Sequence, residues 1–160
     1  MGELKDTTLA FEKRLAPLTR RPASAHEEVT ESRLEVAVVF TSPAATLAAI
    51  GKAGLLARPL NARISLLVPQ VVPYPAPLES PPVLLDFSEQ WFRDIAAQSP
   101  VPTAVHIYLC RDAAGTLQSL LAPRSLVVIG GRKRWWPTRE KTMARKLRQS
   151  GHEVIFIEKE

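Results

Sequence analysis

LEVAVVF, residues 34–40, is a short apolar run rich in β-branched side chains, and Glu35 is its only polar member. A run of this kind, without polar alternation, reads as a strand covered on both faces, as in parallel sheets. Ser42 and Pro43 follow as a helix N-cap and a first-turn proline. Leu47, Ile50 and Leu55 then continue the pattern as apolar positions of a helix. A strand that hands over directly to a helix is half of a β-α-β unit, and the sequence downstream repeats it.

ARISLLV, residues 62–68, is the second buried strand. A loop follows with Pro69, Pro73, Pro75, Pro77, Pro81 and Pro82, where neither a ladder nor a helix is expected to persist. Trp91, Phe92 and Ile95 mark the next helix. AVHIYLC (104–110) is the third strand, and Asp112 caps a helix carrying Leu117, Leu120 and Leu121 before Pro123. SLVVIGG (125–131) is the fourth strand. Thr138 caps a last helix whose apolar positions are Met143, Ala144 and Leu147, ended by Gly151. EVIFIE (153–158) is the fifth strand. Strands alternating with helices imply right-handed crossovers, and so an α/β domain with a parallel sheet covered on both faces.

Upstream, residues 1–33 read as an extension to a domain spanning 34–160. Their basic and acidic side chains cancel. Leu4, Leu9, Phe11 and Leu15 fit the apolar stripe of one short helix, and RRPASAHEEVTES (20–32) fits a linker. Such a helix could also dock on the domain or on a partner's.

The length of 160 residues suits one domain with a sizeable core, and 46% apolar residues are ordinary for a globular chain. No stretch reaches the about 18 apolar residues of a membrane-spanning helix. The start, MGELKDTTLAFEKRL, lacks the basic region and apolar block of a secretory signal. The single cysteine, Cys110, forms no intramolecular disulfide and lies in an apolar run. These features lead to the expectation of a cytoplasmic protein. His26, His106 and His152 are scattered, so no metal site is expected.

In open parallel sheets, ligands bind beyond the carboxyl ends of the strands, near the switch in strand order. Thr41, Val68 and the Gly130–Gly131 pair mark those ends here. Glycines at a strand end admit close approach of a ligand to the backbone, and Arg132, Lys133 and Arg134 place cations beside them. The arrangement could hold a phosphate. It is equally readable as a turn with a solvated basic surface.

The order of these segments resembles the universal stress proteins over about residues 34–158. LEVAVVF with Ser42-Pro43-Ala44-Ala45, then ARISLLVPQVVP, is similar to their opening. LCRDAAGTLQSLL looks like their third strand and short helix, and RSLVVIGGRKR with TMARKLRQSGHEVIFIE is similar to their fourth strand, phosphate loop, last helix and last strand. The resemblance implies a three-layer α/β/α sandwich with a five-stranded parallel sheet, of the adenine nucleotide alpha hydrolase-like kind. It also implies an ATP site on a G-x-x-G loop followed by Gly-Ser or Gly-Thr, and a homodimer paired through the last strand. Gly130 matches the first glycine, but Lys133 stands where the second belongs. Lys141-Thr142 stands where Gly-Ser or Gly-Thr would, and Phe40 or Thr41 replaces the usual acid at the end of the first strand. By that resemblance the site is degenerate or repurposed.

Residues 132–148 carry eight basic side chains against Glu140, a net +7, which leaves the rest of the chain at −2 of the total +5. Charge this concentrated could steer a polyanion. Trp135-Trp136 inside it could stack on a base, sit at a membrane surface, seal a subunit contact or simply pack under the loop. No nucleic-acid-binding motif accompanies the charge, so nucleic acid is not the expected partner. There is no G-x-S-x-G elbow and no P-loop signature, and no enzyme activity is expected.

Two readings follow. The first is a non-catalytic regulatory or interaction module, dimeric through EVIFIE, with ATP binding weakened or lost. The second is a stress sensor binding ATP, ADP or another anion through Gly130, Arg132, Lys133, Lys141 and Thr142.

Overall fold

A computed structural model describes residues 11–15, 34–74 and 85–160. In chain order the elements are β1 (Phe11–Leu15), β2 (Glu35–Val39), α1 (Pro43–Ala57), β3 (Arg63–Val71), α2 (Leu85–Ala97), β4 (Thr103–Cys110), α3 (Ala113–Leu120), β5 (Leu126–Arg132), α4 (Arg139–Gln149) and β6 (Glu153–Lys159). The sheet runs β1-β4-β3-β2-β5-β6. β2 to β6 are parallel throughout, so the five parallel strands and four helices predicted above are all present. β2 sits at the centre with β3 on one side and β5 on the other, which is the switch in strand order.

Side-chain alternation along β2 explains the unbroken apolar run. Val36 and Val38 point into one core, with Ala49, Ile50 and Ala53 of α1 and Phe92 and Ile95 of α2. Ala37 and Val39 point into the other, with Leu117 of α3 and Ala144 and Leu147 of α4. Each face of the strand meets a helix layer, so neither has a polar requirement. Among the described residues no helix is long and apolar enough to cross a membrane.

Two sequence expectations are corrected. Phe11–Leu15 is a strand, not part of a helix, and it pairs antiparallel with β4 from Phe11↔Leu109 to Leu15↔Val105. Without it, β4 would present a bare row of backbone donors and acceptors at the sheet edge, and local helical spacing yields to that demand. Pro69 is not in a loop, because β3 continues through it to Val71. β2 ends opposite Leu67, so among the described residues β3 has a partner strand from Pro69 onward on the β4 side only. A residue without N–H is tolerated there. The remaining prolines of that segment from Pro75 to Pro82 lie outside the described residues.

Candidate functional site

The carboxyl ends of β2, β5 and β6 and the amino ends of α1 and α4 meet at one edge of the sheet. Gly130 and Gly131 belong to β5 itself, opposite Ile157 and Glu158 of β6, so the loop starts only at Lys133. Packing accounts for both glycines, strictly at Gly130 and less so at Gly131. A β-carbon on Gly130 would overlap the carbonyl oxygen of Ala45 in the first turn of α1. One on Gly131 would stand 2.5 Å from the ring of Phe156. Neither has a positive φ, so space is what demands glycine.

Thr41 is occupied in the same way. Its hydroxyl donates to the carbonyl of Gly130 at 2.7 Å, and its N–H donates to the Thr46 hydroxyl at 3.1 Å. These bonds tie the β2–α1 turn to β5.

The loop between β5 and α4 is pinned at its base. Lys133 N–H donates to the carbonyl of Lys159 at 2.9 Å. The Lys141 ammonium donates to the carbonyl of Arg134 at 3.0 Å and pairs with the Glu158 carboxylate at 2.9 Å. Thr138 caps α4, accepting from Lys141 N–H on its hydroxyl and from Thr142 N–H on its carbonyl. Lys133 makes only a loose, exposed pair with Glu160 at 4.0 Å.

Beside the loop lie two open depressions of about 320 and 450 Å³, both bordered by Ser42, Arg132 and Arg134. Ser42 precedes α1 without a side-chain capping bond. Trp135 and Trp136 on the loop are 96% and 75% exposed.

The predicted residues thus divide. Thr41, Gly130, Gly131, Arg132, Lys133, Lys141 and Thr142 are brought to one edge. Of these, Gly131, Arg132 and Lys133 line a depression, whereas Thr41, Gly130, Lys141 and Thr142 line neither, and nor does Val68, which stands beside Phe40 by register and is buried in the α1–α2 core. Glu158 and Arg139 also belong to this edge and were missed. The basic run was a signal for Arg139, but nothing local to the sequence places the end of β6 against the loop. Among the described residues no group of three His, Cys, Asp or Glu could hold a metal ion.

A crystal structure of a protein from the universal stress protein family of Burkholderia pseudomallei superposes on this chain with a TM-score of 0.53. The match covers 77% of this chain and 94% of that one, at 20% identity. The fold is that of a universal stress protein. At this identity the likeness is one of fold. No protein-family model matches the sequence, and no curated protein does. Within the universal stress protein fold, this chain borders its depressions with Arg132, Lys133, Arg134 and Arg139, and Gly131 lines the larger of the two.

Proposed function

We propose that the chain is a non-catalytic, cytoplasmic regulatory or interaction module with the universal stress protein fold, in which standard ATP binding is weakened or lost. The observation that carries this reading is the use of the glycine pair. Gly130 makes room for Ala45 and Gly131 for Phe156, so packing accounts for glycine at both positions without a phosphate. Lys141, where the fold's phosphate loop would want a glycine, instead holds Arg134 and Glu158. The depressions that remain are open to solvent and offer a nucleotide little burial, whereas small-molecule sites usually enclose most of their ligand. The module pairs with a second copy through β6, which is a sheet edge with a partner strand on one side only among the described residues.

A thermal-shift titration with ATP, ADP and AMP, with and without magnesium and with sulfate as anion control, tests this. The expected result is no nucleotide-specific shift at millimolar ligand. A ligand at about 100 times its dissociation constant would add roughly 2.7 kcal/mol, so binding could not pass unseen. A shift specific to a nucleotide, abolished by Lys133→Glu, would replace this reading with the anion-binding stress sensor. That reading draws on Arg132, Lys133 and Arg134 standing exposed beside the uncapped Ser42.

A further inference from the structure

We propose that the loop of Trp135 and Trp136 is a membrane-surface anchor that docks the module on bilayers rich in anionic phospholipid. Two adjacent indoles, 96% and 75% exposed, are surface the fold does not use. The third tryptophan shows the contrast, since Trp91 packs edge-on against Phe40 with ring centroids 5.5 Å apart. Exposed apolar surface of this kind marks a contact made with something else. An indole has an apolar body and one polar N–H, and it settles at the boundary between lipid headgroups and hydrocarbon.

The charges around the indoles specify the surface. Arg132, Lys133, Arg134 and Arg139 flank them, and residues 132–139 contain no carboxylate. Of the nearest acids, Glu158 is taken up by Lys141, Glu160 stands 4.0 Å from Lys133, and Glu140 lies in the first turn of α4. Cations ringing a shallow apolar wedge complement an anionic headgroup layer, at about fivefold in affinity per Lys or Arg near the surface. The bonds from Lys133 N–H to Lys159 and from Lys141 to Arg134 hold the base of the loop, so less order is lost on docking.

A single-stranded nucleic acid fits less well. Base stacking needs rings distributed along a basic groove. The other aromatic side chain in residues 126–160, Phe156, is packed over Gly131. A bilayer asks only for one wedge with cations beside it, and that is what the loop presents.

The inference names a partner for the interaction module and rests on that reading, but vesicle binding and nucleotide titration are separate measurements, and either can fail alone. The full chain is sedimented with phosphatidylcholine vesicles containing about 30 mol % phosphatidylglycerol, and with phosphatidylcholine alone, at about 0.15 M salt. Tryptophan emission is read in parallel. Binding to the anionic vesicles with a blue shift is expected, and little to the neutral ones. Trp135→Ala with Trp136→Ala should remove the blue shift, leaving only Trp91 emission. Arg134→Gln with Arg139→Gln should lower the partition coefficient about 25-fold. All four side chains are exposed, so both double variants should keep the parent melting temperature. No binding to anionic vesicles, or binding that both variants retain, overturns the proposal. So does tight binding of a single-stranded oligonucleotide by a chain that ignores the vesicles.

Discussion

Gly130 lies against the backbone of Ala45 so closely that a β-carbon would overlap the Ala45 carbonyl oxygen. The obstacle is helix backbone, which cannot step aside without shifting α1. Gly130→Ala should therefore destabilise by about 3 kcal/mol, the upper range for an overpacked core. At ~2–4 °C per kcal/mol for a chain of this size, the melting temperature should fall by about 6 °C or more. At Gly131 the obstacle is the Phe156 ring, a side chain that can rotate. Gly131→Ala should cost less than half as much. Equal small effects at both positions would show that glycine is not held there by packing.

Phe11–Leu15 gives a second prediction, from the period of its backbone. In a strand, neighbouring N–H groups point to opposite sides, so only one of Glu12 and Lys13 can donate to β4. Glu12→Pro and Lys13→Pro should thus differ, one losing a ladder bond of about 1 kcal/mol and the other costing little. Urea-denaturation midpoints measure both. In a helix interior each would cost about 3 kcal/mol, so two large, equal losses would count against the strand.

Cys110 supplies a third. Burial raises its thiol above the ordinary 9.0, the nearby Asp112 carboxylate adds to that, and the Thr116 hydroxyl opposes it. A thiol kept neutral in the folded state ionises first in the unfolded one. Its contribution to stability is therefore full below pH 9 and declines as pH rises through the folded value. Cys110→Ala should flatten the alkaline end of the stability curve, and the parent thiol should react with iodoacetamide far faster in denaturant than in buffer. A thiol modified equally fast in the native protein would show it is not shielded.

Much of this architecture was legible in one dimension. The period of apolar residues in 34–40, 62–68, 104–110, 125–131 and 153–158 reports burial on two faces, and Asp112 and Thr138 are caps seen to accept from Gly115 N–H and Lys141 N–H. Those signals are local: a strand buried on both sides and a capped helix start each leave their mark within a few residues.

Tertiary structure decided the rest. FEKRL became a strand because β4 had an edge to cover, and the partner that settles it lies about ninety residues away in the chain. The glycine pair reads like a phosphate loop in sequence, since a glycine needed for a ligand and one needed for a neighbour look alike. Only the placement of Ala45 and Phe156 tells them apart. Lys141 likewise reads as a free cation until the end of β6 brings Glu158 to it. Sequence by itself determined which segments are strands and helices of the parallel core, because hydrophobic period and capping are short-range. Which side chains remain free for a partner was decided by long-range contacts, because packing consumes some groups and leaves others, such as Trp135 and Trp136, facing solvent.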